Sequence, residues 1–266
     1  MTNYIILLPP SESKNQGGNE EKPYRITENL EKYNYFKNLN SQREFIYDNL
    51  RETIQHSTLE EVEKIFELKN KKLHEAIENT YDLLNKETMP SIKRYTGVMF
   101  KAINYEKFNV KQKENFEKST IFIDGMFGLL KPQDMIPEYK LKITSKINEL
   151  NITNFWKNEV QNTLNKEFKN KIIIDILPQS HRKIIDKKKE SYNCDQYIQI
   201  SFCDKKNNKI KQAGHNSKQL KGELINYISQ FENINRKDLE NFTHKSGYFY
   251  SEELSNKEEI IYLNEN

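Results

Sequence analysis

Apolar residues along this chain follow two rhythms, which divide it into short buried strands and longer amphipathic helices. Residues 3–8 form a continuous apolar run that predicts a buried strand, and it ends in the stiff polar turn Pro9, Pro10, Ser11, Glu12, Ser13, Lys14. Residues 15–21 then read as a Gly- and Asn-rich loop. From Thr27 to Glu87 the pattern is helical. Ser41 with Glu44, and Ser57 with Glu60, stand at capping-box spacing, in which each side chain satisfies a backbone N–H at a helix start. Leu59, Val62, Phe66, Leu73, Ile77, Tyr81 and Leu84 make one stripe that lapses at residues 69–72. The expectation is a helix, a tight connection at His56, Ser57 and Thr58, and a longer helix, giving a helical hairpin over roughly residues 41–87.

The second half repeats the alternation. An apolar segment with Gly97 near its start (residues 94–103) and a polar helix (residues 111–118) lead into the β-branched and aromatic run Ile121, Phe122, Ile123. Gly125 and Gly128 follow, and then a segment stiffened by Pro132 and Pro137 that carries Lys131, Asp134, Glu138, Tyr139 and Lys140. It reads as a buried strand delivering a polar loop to a surface, or, more simply, as a strand end with a rigid turn. Phe155, Trp156, Val160, Leu164 and Phe168 form one helical face. Residues 171–177 are a strand with Asp175 inside an isoleucine run, and residues 197–202 are a strand with a hairpin partner at 208–212. The segment 213–222 then opens a helix, with Leu220, Leu224, Tyr227, Ile228 and Phe231 as its buried stripe, and residues 246–250 and 259–263 close the chain as strand-like runs. There is no repeat and no long linker. The fold class is mixed α/β (α+β): a single compact domain over residues 1–266, with a mixed central sheet and surrounding helices.

Composition narrows the function. At 266 residues and 35% apolar the chain can bury a sizeable core. Its 42 Lys+Arg against 39 Asp+Glu leave only +3, so an anionic partner must be attracted by clustering and not by the total. Clusters exist: residues 182–189 hold five bases and one acid, and residues 205–221 hold six lysines and no acid. Lys218 and Lys221 lie near a helix start that itself favours anions. Cys194 and Cys203 form no C-x-x-C pair, which suits a reduced cytoplasm, and no apolar stretch approaches the roughly 20 residues that span a bilayer. The five histidines lack ligand spacing, so no metal or other cofactor is expected. Walker A, G-x-S-x-G and G-x-G-x-x-G signatures are absent.

Ser11, Lys14, Asp134 and Asp175 are the candidates for acid–base chemistry, Asp175 because a lone carboxylate among isoleucines is costly unless it is paired or stands at a polar strand end. A glycine-free connection at His56 to Thr58 makes the hairpin an ordinary antiparallel helix pair on its residues alone.

Taken together, Leu7 to Lys14, Tyr95 to Val98, the Phe127 to Leu141 segment, Phe155 with Trp156, Ile174 to Ile176, the segment with His215, Asn216, Lys218, Lys221 and Gly222, and Gly247 with Tyr248 resemble the YaaA family, the peroxide stress proteins also called UPF0246, in that family's order and over nearly the whole chain. The resemblance implies a cytoplasmic single-domain protein with a helix-hairpin-helix beside a positively charged cleft. It also implies double-stranded DNA as the partner, held mainly by its phosphate backbone, and a role in limiting iron- and peroxide-driven DNA damage. On this reading Lys14, Lys131, Lys140, Lys218 and Lys221 contact DNA, while Tyr95, Gly97, Gly128, Tyr139, Trp156, His215 and Asn216 shape the cleft. Lys131 and Lys140 stand where that family often has arginine, which weakens bidentate pairing. A monomer is the expected state. The rival expectation is an enzyme acting on a nucleotide or nucleobase in the same cleft, which carboxylates converging on the lysines in one pocket would favour.

Overall fold

The computed structural model describes residues 2–23, 34–185, 192–207, 209–214 and 216–265. The start of the predicted helical region (residues 27–33), residues 186–189 of the first basic run, Asn208 and His215 lie outside the described residues.

The core is an eight-stranded mixed sheet. In chain order its strands are β1 (Tyr4–Leu8), β2 (Thr120–Asp124), β3 (Gly128–Leu130), β4 (Ile172–Asp175), β5 (Gln196–Lys206), β6 (Lys209–Gln212), β7 (Phe249–Tyr250) and β8 (Glu259–Asn264). In space they run β7, β8, β5, β4, β1, β2, β3, with β6 paired to β5. β8, β5, β4, β1 and β2 are parallel, and β7, β3 and β6 pair antiparallel at the flanks. Every residue of β1 and β2 is buried. That explains why these strands read as continuous apolar runs: a parallel strand covered on both faces has no solvent side to alternate toward.

Helices α1 (Asn40–His56), α2 (Leu59–Phe66), α3 (Asn70–Tyr81), α4 (Val98–Ile103), α5 (Val110–Ser119), α6 (Ile152–Phe168) and α7 (Ser217–Ile228) surround this sheet. The mixed α/β expectation is met. Among the described residues no helix is long and apolar enough to cross a membrane.

Local expectations fail in instructive places. The long second helix is two, because the chain leaves α2 through Glu67 in the left-handed region (φ 53°) and re-enters helix at Asn70, where the apolar stripe lapses. α1 continues from a 3-10 turn (Lys37–Leu39), so Ser41 lies inside its first turn and caps nothing. The second capping box is Thr58 with Glu61, one residue on, because Ser57 is used to close α1: its N–H donates to the Thr53 carbonyl. The helical region ends before Glu87, since Glu87–Pro90 is a strand paired with Asn19–Pro23, inside the predicted loop. The Lys131 to Leu141 segment is not displayed at a surface: Lys131, Asp134 and Tyr139 are all buried.

One topological fact positions the site. The chain leaves β1 for β2 on one side and leaves β4 for β5 on the other, so the crevice above the C-terminal ends of neighbouring β1 and β4 is a switch point, where open α/β sheets receive ligands.

Candidate functional site

Beyond β1 the proline-stiffened turn runs alongside the chain that enters α4. Lys14 pairs with Tyr95 as an isolated antiparallel bridge, the Thr96 N–H donates to the Ser13 carbonyl (3.0 Å), and the Asn15 N–H to the Arg94 carbonyl (2.8 Å). Gly97, at φ +103°, lets the two segments meet, since a Cβ there would stand 3.1 Å from Ser11 Oγ. The Lys14 ammonium donates to the Ser11 carbonyl (3.0 Å) and lies 4.1 Å from the centre of the Tyr139 ring and 5.7 Å from that of Tyr95. Lys140 beside it pairs with Glu12 at 3.6 Å.

Facing this turn is Asp124, the last residue of β2 and fully buried. Its Oδ1 accepts the N–H groups of Met126 (2.7 Å) and Phe127 (3.0 Å), which fixes the turn into β3. Its Oδ2 accepts both phenols, Tyr95 at 2.9 Å and Tyr139, whose oxygens are 3.1 Å apart. Turn capping accounts for one carboxylate oxygen; two phenols and an ammonium gathered on the other side exceed what a turn requires. Burial, then the Asp124 charge, push both phenols well above their ordinary range, so they stay protonated donors. Burial lowers Lys14 to about 8, with Asp124 pulling the other way, so its amine is poised near operating pH. Beneath the turn, Trp156 donates its indole N–H to the Gly125 carbonyl (2.8 Å) and packs on Gly128.

A second polar group sits at the end of β4. Asp175, also fully buried, accepts the Leu177 N–H (2.8 Å), the Arg182 guanidinium (2.5 and 3.4 Å) and the Tyr197 phenol (2.9 Å). Lys221 donates to the Ile176 carbonyl (3.1 Å), and burial, then Arg182, lower it to about 8. His181, next to Arg182 in the chain, is depressed by burial to about 4 against the pull of Asp124 and Glu12.

The remaining candidates are elsewhere. Lys131 and Asp134 belong to the N-terminal ends of the parallel strands: Lys131 Nζ donates to the carbonyl of Lys118, which precedes β2, whereas Asp124 ends it. The length of β2, about 13 Å at roughly 3.3 Å per residue, therefore separates them from Asp124. A groove of about 1020 Å³ lies at that far end, lined by Lys37, Lys118, Lys131, Lys166, Lys169 and Lys171 with Glu117, Asp134 and Glu167 among them. It holds no such convergence of phenols, carboxylate and amine. Lys218 and Asn216 are exposed at the start of α7. Among the described residues no group of three or more His, Cys, Asp or Glu side chains is placed to hold a metal ion.

Asp134 has a structural task. Its two oxygens accept the Tyr35 and Lys131 N–H groups, both at 2.8 Å, while burial raises its pKa from 3.8 to about 6. Asp134→Asn turns an amide nitrogen toward one of those donors, a cost of about 1–3 kcal/mol, partly offset by removal of a buried charge. A lower melting temperature at neutral pH is expected. Because the folded-state pKa is the higher one, the wild-type contribution is largest at low pH and declines as pH rises from about 4 to about 6. Melting curves across that window should lose this decline in the variant.

Asp124, His181 and Arg182 were not singled out from the sequence. Asp124 carries the signal that drew attention to Asp175, a lone carboxylate ending an apolar strand, but the polar loop beyond it drew the eye to Asp134.

The model of the peroxide stress protein YaaA family matches residues 4–254. A UPF0246 protein of Rickettsia peacockii is 30% identical over 217 residues, covering 80% of this chain and 86% of its own length. One from Fusobacterium nucleatum is 26% identical over 275 residues, covering 98% and 99%. With β1, the Asp124 turn and the Asp175 strand end all inside the matched span, the chain belongs to the peroxide stress protein YaaA family.

Proposed function

We propose that this protein serves peroxide tolerance as an enzyme, transferring protons to or from a nucleotide or nucleobase held in the switch-point crevice, in the cytoplasm and as a monomer. The observation that supports it is the convergence on Asp124 of two protonated phenols beside the Lys14 amine. In this reading Lys14, part neutral near pH 8, is the proton acceptor; Tyr139 and Tyr95 are donors; and Asp124 holds the phenols in place and balances the positive charge that Lys14 gains when it takes a proton. Lys140 near the turn, with Lys221 and Arg182 at the end of β4, draws in an anionic substrate.

Two substitutions separate proton transfer from simple charge. Lys14→Met removes both, whereas Lys14→Arg keeps the cation but cannot titrate. Both are expected to abolish peroxide survival in cells lacking the native gene, with a folded protein by circular dichroism. Full survival with Lys14→Arg overturns the proton-transfer reading.

A second reading, a clamp on the phosphate backbone of double-stranded DNA, is favoured by a different observation, the lysine-lined groove at the far end of the sheet. There Lys166→Ala with Lys169→Ala would make the salt dependence of DNA affinity shallower by about two in log–log slope.

A further inference from the structure

Among the described residues the charges around the end of β4 do not balance. Asp175 already receives four donor groups, from the Leu177 N–H, two guanidinium nitrogens and the Tyr197 phenol, so it has no lone pair left for Lys221. Arg182 spends Nε on Asp175 and Nη2 on Asp175 and the Leu177 carbonyl (2.7 Å), and among the described residues Nη1 has no partner. Lys221 spends one N–H on the Ile176 carbonyl and has two left. Two cations thus share one saturated carboxylate, with the Arg182 side chain 12% exposed, and burial, then Arg182, pushes Lys221 toward neutrality. Both hold consecutive groups of the same strand end, at the C-terminal edge of β4 beside the switch point. A buried pair of this kind lacks one partner: an anion with several acceptor oxygens.

We infer that Lys221 and Arg182 form the seat for a phosphate monoester, which makes the substrate of the crevice a phosphate-bearing small molecule of nucleoside monophosphate type. The inference rests on the enzymatic reading above for what happens at the other end of that molecule. A monoester dianion brings three terminal oxygens and enough charge for two buried cations. Backbone phosphates of a duplex lie on a convex rod that does not reach a recessed strand end. The seat also faces the chemistry. Asp175 is level with Leu7 on β1, and Leu7 with Ile121 on β2, which puts Asp124 two strand spacings across and three residues up. That is roughly 14 Å between backbones, with Lys14 and the phenols gathered at the Asp124 end. Exposed Lys218, one helical turn before Lys221 on α7, extends the positive field to the rim.

Titration calorimetry with inorganic phosphate, adenosine 5′-monophosphate, adenosine and a short DNA duplex tests the seat. The two phosphates are expected to bind wild-type protein, with affinity reduced at least tenfold in Lys221→Gln and in Arg182→Lys, while adenosine binds both forms equally or not at all. Lys221→Gln is the safer variant, because Arg182 also holds Asp175. Equal affinity in wild type and Lys221→Gln overturns the seat. Displacement of the monophosphate by duplex DNA, lost in the same variant, assigns the seat to a diester backbone and overturns the monoester. If no phosphate binds wild type while Tyr139→Phe still fails to protect cells, the seat is wrong and the acid–base site stands. If phosphate binding depends on Lys221 while Tyr139→Phe protects fully, the seat stands and the acid–base site is wrong.

Discussion

Gly128→Ala is expected to lower stability by about 2–5 kcal/mol, a large part of what a domain of this size possesses. Gly128 has φ +70°, where a side chain is strained, and a Cβ there would lie 2.5 and 2.6 Å from two carbons of the Trp156 ring. Trp156 cannot yield cheaply: it is fully buried, and its indole N–H is committed to the Gly125 carbonyl in the turn that Asp124 caps. The methyl therefore pushes on the turn, and through it on the carboxylate that holds Tyr95 and Tyr139. Thermal melting should show a drop of roughly 5–15 °C. Adding Trp156→Leu should recover part of it, since the smaller side chain vacates the space the methyl needs. An unchanged melting temperature for Gly128→Ala would mean that the ring and the turn are not packed as described.

How much of this was legible follows from where the physics is local. β1, β2 and β4 were readable because burial on both faces writes a continuous apolar run, and the break between α2 and α3 was visible as a lapse in a stripe. The one-residue shift of the capping box from Ser57 to Thr58 was not, since Ser57 is also needed to end α1 and the choice depends on both helices at once. Lys14, Tyr95 and Tyr139 were each singled out, yet their meeting point was not, because it depends on which strand lies beside β1. Register with β2 brings Asp124 to them and takes Lys131 and Asp134, on the far side of the β2–β3 hairpin, to the opposite end of the sheet. Asp175 was flagged as needing a partner, but its partner Arg182 read as one charge in a basic run.

The other large effect concerns Tyr139. Tyr139→Phe keeps the ring under the Lys14 ammonium and leaves Asp124 with Met126, Phe127 and Tyr95 as donors, so the fold should lose no more than about 1–3 kcal/mol. What it removes is the phenolic proton that Tyr139 holds against the carboxylate, in a position where general acid catalysis contributes about 10²–10⁴ in rate. A DNA clamp working through the far groove would not feel the change, because the phenol is buried and touches no groove residue. The decisive measurement is peroxide survival of cells lacking the native gene and carrying either wild type or Tyr139→Phe, at equal levels of folded protein. Survival no better than with an empty vector is the predicted result; survival equal to wild type would contradict the proton-transfer site at Asp124.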